Sequence, residues 1–122
     1  LNQYEEAIKD YNKAIELNPS NSEAYNNRGS AKNNLKQYKE AITDFNKAIE
    51  LNPNNFMYYY NKGISNSYLG HNEEAYNDFI KGYDLAGYIS KNEYKQRIVK
   101  LAKQNNKAAI EICDEMDWGI NF

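Results

Sequence analysis

The chain is predicted to be all-α, a solenoid of antiparallel helix pairs closed by a C-terminal capping pair. Three observations predict it. Pro19 and Pro53 stand 34 residues apart, and the segments that end just past them, 1–21 and 35–55, differ at only five of their 21 aligned places. The same offset then relates Gly29 to Gly63, Leu35 to Leu69, Ala41 to Ala75, Phe45 to Phe79 and Leu51 to Leu85. Within one period the apolar residues fall twice at helical spacing, so each unit is a pair of helices. A unit of this size buries its apolar face only by stacking on its neighbours.

Taken in order, residues 1–21 are the second half of a truncated unit. Leu1 corresponds to Leu35, so 4–17 is a second helix without its first, and the chain reads as a fragment of a longer array. Its stripe of Tyr4, Ala7, Ile8, Tyr11 and Ile15 would form an adhesive patch, and self-association through residues 4–17 as a two-fold dimer is expected. Residues 22–55 are a complete unit, with Ala24, Tyr25, Ala31 and Leu35 on a first helix capped by Asn21 or Ser22. Tyr38, Ala41, Ile42, Phe45, Ala48, Ile49 and Leu51 mark its second helix, which Asn52-Pro53-Asn54-Asn55 ends. Residues 56–89 repeat the unit. Residues 90–122 are a degenerate copy: Ser90-Lys91-Asn92-Glu93 reads as a capping box that opens a helix through about Gln104, Asn105-Asn106 breaks it, and a last helix runs from Lys107 to about Asp117. Trp118 and Phe122 are expected to fold back on this pair, which as a terminal unit keeps the array soluble.

Gly29 and Gly63 sit in mid-helix, where glycine costs about 1 kcal/mol relative to alanine. Close approach to Ala41 and Ala75 of the second helix is the expected compensation, with Phe45 and Phe79 as the large knobs. The order Tyr25, Gly29, Ala41, Phe45, Ala48, Pro53, and again Tyr59, Gly63, Ala75, Phe79, resembles the tetratricopeptide repeat over residues 1 to about 87. Arg28 and Lys62 stand where the pattern has an aliphatic residue, and Lys32 and Asn66 where it has an aromatic one. Gly82 and Gly87 replace the later alanine and proline, which bears on the tightness of the third repeat and its exit angle.

Composition excludes several functions. A net charge of −2 gives no field for nucleic acid or anionic lipid, and no apolar run approaches a membrane span. No leader pattern is visible, but the sequence opens in mid-repeat, so the location stays unknown with the cytoplasm favoured. The only cysteine, Cys113, takes the core aromatic position of the degenerate unit and reads as a buried thiol; the only histidine, His71, lies in an interhelix turn. Glu111, Asp114, Glu115 and Asp117 spread around a helix and read as surface solvation rather than a metal site. No catalytic constellation, cofactor motif or metal-ligand spacing is present, so no enzyme activity, cofactor or metal is expected. Most tyrosines occupy packing positions; of Tyr58-Tyr59-Tyr60, consecutive on a helix, at least one is expected to reach solvent or a partner.

The resemblance implies a right-handed superhelical solenoid whose concave groove is lined by the first helices. It places Glu23, Asn26, Asn27, Ser30, Asn33 and Asn34 there from one repeat, and Met57, Tyr60, Asn61, Ile64, Ser67 and Tyr68 from the next. Asn27 and Asn61, both expected to face solvent, would grip a peptide backbone, and Met57, Tyr60, Ile64 and Tyr68 an apolar side chain. A subfamily that holds a C-terminal carboxylate implies contacts from Asn61, Lys91 and Lys95, provided the degenerate unit keeps register. The function expected is a noncatalytic scaffold that binds an extended segment of a partner protein in this groove. An RNA-binding helical repeat and an adaptor segment of a larger enzyme or receptor are the alternatives.

Overall fold

The computed structural model describes residues 2–119. They form seven helices and no strand: α1 Asn2–Leu17, α2 Ser22–Asn34, α3 Tyr38–Leu51, α4 Phe56–Tyr68, α5 Asn72–Leu85, α6 Tyr88–Lys103 and α7 Lys107–Glu115. None of these helices is long and apolar enough to cross a membrane. Asparagines start α2 and α4: Asn21, one of the two candidates for α2, accepts from the Ala24 amide at 3.0 Å, and Asn55 accepts from that of Met57 at 3.0 Å. The turns inside the pairs pass through a left-handed residue, Lys36 at φ 63° and its repeat equivalent Gly70 at φ 78°. Glycine takes that conformation without the Cβ clash lysine meets.

Packing follows the repeat. α2 pairs with α3 and α4 with α5, while α1 lies on α2 and α3 on α4. The mid-helix glycines are explained differently from the expectation. A Cβ on Gly29 would lie 2.7 Å from Phe45 Cε1, and one on Gly63 2.5 Å from Phe79 Cε1, so the aromatic ring itself, rather than Ala41 or Ala75, occupies the space that glycine leaves. Both rings are fully buried.

The residues that depart from the repeat pattern meet at a buried carboxylate. Asp44 receives Arg28 as a fork, from Nε at 2.9 Å and Nη2 at 2.6 Å, and pairs with Lys32 Nζ at 2.9 Å. Arg28 also donates to Asn12 Oδ1 on α1, which ties three helices together. The third repeat keeps a weaker version: Asn66 Nδ2 donates to Asp78 at 2.8 Å, Lys62 stands at 3.8 Å, and the exposed His71 ring nitrogen contacts Asn66 at 3.3 Å. Burial raises the Asp78 pKa, only partly opposed by Asn66 and Lys62.

The C-terminal pair leaves the repeat geometry. α6 touches α5 far less than α2 touches α1 or α4 touches α3, and α7 packs on α5 instead. Tyr94 causes the change: its buried hydroxyl donates to the Phe79 carbonyl at 2.7 Å, and it fills the place where a Cβ on Gly82 would be, 2.8 Å from Tyr94 Cζ. α6 begins at Tyr88 behind Gly87, and no side chain caps it, so the box predicted at Ser90 does not form. Asn106 caps α7 through the Ala109 amide. Cys113 is buried, and burial pushes its thiol pKa up. Trp118 folds back as expected, its ring 5.2 Å from that of Tyr83; Phe122 lies outside the described residues.

Two expectations follow for stability. Gly82→Ala should cost about 1–3 kcal/mol through overpacking, and Tyr94→Phe about 1 kcal/mol by removing the second hydrogen bond that the Phe79 carbonyl accepts. Because the lost hydroxyl makes room for the added methyl, denaturant melts of the double variant should show less than the sum. The two aspartates should behave oppositely at pH 7. Asp44→Asn breaks a buried, forked ion pair and should cost about 3 kcal/mol. Asp78 has a folded pKa above its unfolded one, so its contribution is most favourable in acid and is lost as pH rises from about 4 through the raised folded pKa. The melting temperature of Asp78→Asn relative to the parent should therefore climb over that window.

Candidate functional site

The first helices α2, α4 and α6 stand side by side, and their shared face has two unlike halves. Between α2 and α4 a polar seam crosses the boundary. The Tyr58 hydroxyl donates to Glu23 Oε1 at 2.9 Å, Asn61 Nδ2 to Asn26 Oδ1 at 2.9 Å, and Ser65 Oγ to Asn33 Oδ1 at 2.7 Å. Asn26 is buried and Asn61 half-buried. The expectation that Asn61 faces solvent is thus corrected, because its amide closes the seam. Asn26 and Asn33 likewise use their oxygens internally. Asn34 is exposed and donates to the Ser30 carbonyl of its own helix at 3.0 Å. Asn27 and Ser30, both half-buried, line a recess of about 250 Å³ together with Tyr4, Ala7 and Tyr11 of α1.

Between α4 and α6 the contacts are aromatic. Tyr60 packs against Phe79 and Tyr94, with ring centres at 5.8 and 5.6 Å, and the Arg97 guanidinium carbon lies 5.6 Å from its own ring centre. Burial raises the Tyr60 pKa, opposed by Arg97, so the phenol stays a neutral donor. Ile64 and Tyr68 line a recess of about 210 Å³ with Leu101, Gln104 and Asn106. Tyr68 is 67% exposed and stacked flat on Tyr38 at 4.8 Å. Tyr60, Arg97, Lys100 and Gln104 line an adjoining hollow. Met57 is half-buried in the first turn of α4. Of the tyrosine run, Tyr58 is buried, while Tyr59 and Tyr60 are half-buried.

Lys91 and Lys95 do not join this face. Lys91 Nζ lies 4.9 Å from the centre of the Tyr83 ring and Lys95 Nζ 5.4 Å from that of Trp118, on the side of α6 turned to α5 and the C-terminal tail. The register required for a carboxylate contact from these two lysines is lost because α6 starts at Tyr88 and is held by Tyr94. Arg97 and Lys100 take the groove side instead, and sequence reasoning missed them. The signal was present: Glu93, Gln96, Arg97, Lys100 and Gln104 recur at i, i+3, i+4, i+7 and i+11, one helical face, opposite the buried Tyr94, Ile98 and Ala102. Among the described residues Arg97 has only Glu93 as an ion-pair partner, at 3.7 Å and largely exposed, which holds it weakly.

No group of three His, Cys, Asp or Glu side chains suited to a metal occurs among the described residues. His71 and Cys113 sit on different elements, the turn before α5 and the buried side of α7.

This geometry defines a helical-repeat protein with an open face and a fixed seam. Models of the tetratricopeptide repeat match residues 22–55 and 45–77, and a model of the TPR repeat matches 1–35. Together they span residues 1–77, and the chain belongs to the tetratricopeptide repeat family. Among solved structures it is similar to the TPR2B domain of yeast Sti1 in complex with pHsp70, at 27% identity over 84% of this chain and 86% of that one, with a TM-score of 0.74. It is also similar to the first TPR of Spaghetti (RPAP3) bound to the HSP90 peptide SRMEEVD, at 31% identity over 83% and 82% of the two chains and a TM-score of 0.68. A third, MamA from Desulfovibrio magneticus RS-1, is 24% identical over 91% of this chain and 63% of that one, at a TM-score of 0.69, and shares the fold. No curated protein matches the chain.

Proposed function

We propose that the protein is a noncatalytic scaffold that binds an extended peptide segment of a partner across α2, α4 and α6, with an acidic residue of the peptide beside an apolar one. The observation that carries this reading is the α4–α6 half of the face. There Tyr60, Ile64, Tyr68 and Leu101 offer apolar walls within reach of two cations, Arg97 and Lys100. Arg97 is the stronger recognition element, because its planar fork matches a carboxylate and stacks on Tyr60. The 31%-identical relative, bound to an acidic peptide that also carries Met and Val, supports the ligand class.

The ligand contact differs from the one drawn on Lys91 and Lys95. Asn26, Asn33 and Asn61 hold the α2–α4 seam, so they shape the face and leave Asn27, Ser30 and Asn34 as its polar contacts on α2. An RNA ligand is disfavoured by the net charge of −2 and by the two-cation limit of the α4–α6 hollow.

Fluorescence anisotropy with labelled SRMEEVD as a probe should give saturable binding on the order of 10 μM, a value usual for short peptides held by few anchors. Arg97→Glu and Tyr60→Ala should each weaken it at least fivefold, while Lys91→Ala leaves it unchanged. If neither acidic nor neutral peptides bind, or if single-stranded RNA binds more tightly with a steep salt slope, the reading is wrong.

A further inference from the structure

The recess of about 210 Å³ where the end of α4 meets the turn between α6 and α7 has more than apolar walls. Ile64, Tyr68 and Leu101 line its sides, while the rest of its lining, Ser67, Gln104, Asn105 and Asn106, is polar and uncharged. Two of these groups have bonding capacity to spare. The Ser67 hydroxyl is buried with no hydrogen-bond partner among the described residues. Its place in the repeat explains this: one period earlier stands Asn33, which the Ser65 hydroxyl reaches from the next first helix, but one period after Ser65 stands Val99, which has no hydroxyl. Asn106 spends its side-chain oxygen on the Ala109 amide at 3.0 Å, and among the described residues nothing accepts from its Nδ2. The turn that carries it is fixed, with Asn105 left-handed at φ 68° and the Asn106 amide donating to the Leu101 carbonyl at 3.0 Å. The adjoining hollow is unlike this one, since Glu93, Arg97 and Lys100 line it.

We infer that the recess is a subsite for a glutamine side chain of the bound peptide, two residues away from the acidic residue that meets Arg97 and Lys100. The inference rests on the scaffold reading and names the second residue of its ligand. An amide end answers both spare groups, its carbonyl accepting from Asn106 Nδ2 and its NH₂ donating to Ser67 Oγ. A wholly apolar end leaves both unpaired. A carboxylate would lose its water where no cation lines the wall. Asparagine, with a single methylene, would leave Ile64 and Leu101 uncovered. Spacing comes from α6, because the two recesses share Leu101 and Gln104. Their linings centre about four positions apart on this helix, roughly 6 Å at 1.5 Å per residue. Along an extended peptide the side chains of one face recur every second residue, roughly 6.5 Å apart.

Three peptides labelled at the N-terminus, SRMEEQD, SRMEEMD and SRMEEED, differ at one place. By fluorescence anisotropy the glutamine peptide should bind about fivefold more tightly than the other two, the gain expected of one or two neutral hydrogen bonds. Ser67→Ala should remove most of that preference without weakening the methionine peptide or lowering the melting temperature, since it deletes an unpaired hydroxyl. Two peptides of equal charge test the spacing: SRMEAQD keeps an acid two places before glutamine and SRMAEQD does not. The first should bind about threefold more tightly, the worth of an exposed ion pair. Equal affinities for glutamine and methionine, a glutamine preference that Ser67→Ala leaves intact, or equal affinities for the spacing pair would overturn the inference and leave the scaffold reading standing. Binding by none of these peptides would overturn both.

Discussion

The contact on which this structure depends is an aromatic ring set flat on a glycine of the facing helix. Phe45 on Gly29 and Phe79 on Gly63 bring two helices closer than any side chain at those glycines would allow. Glycine in mid-helix costs about 1 kcal/mol. A fully buried phenylalanine contributes more, about 1.5–3 kcal/mol, so the exchange favours the close pair. Its recurrence every period makes each hairpin alike, and alike hairpins stack into a continuous face. At the end of the stack Gly82 plays the glycine's part for Tyr94, now from a helix in a different place, and the array stops repeating there.

A second constraint rides on the first. The residue before each ring is an aspartate, and where it is buried it needs cations, which is why Arg28 and Lys62 replace aliphatic residues in the pattern. A forked arginine tolerates little sliding, so the pair fixes the register of α2 against α3 as hydrophobic contact alone does not. The device weakens along the chain. Asp44 has two cations within 2.9 Å, Asp78 an amide and one distant lysine, and Asp10 none among the described residues.

The face that the stack presents is partly spent on holding itself together. Hydrogen bonds from Tyr58, Asn61 and Ser65 stitch α4 to α2, and rings stitch it to α6. Such a face is preorganised, and a ligand ordered on it pays mainly its own entropy. What stays open is concentrated where α4 meets α6, since α6 leans away from α5 and exposes its basic side.

The sequence alone determined the period, the helix pairs and which residues of each unit are large and which small. These are nearest-neighbour properties that recur in every unit, so a single chain displays them several times. The use of each groove residue was decided only in three dimensions. Asn27 and Asn61 are the same residue at the same position, yet one lines a recess against α1 and the other bonds Asn26 of α2. The place of Lys91 and Lys95 was likewise hidden. It follows from the phase of α6, which the Tyr94 hydroxyl and the gap at Gly82 set through a contact between residues that no repeat relates.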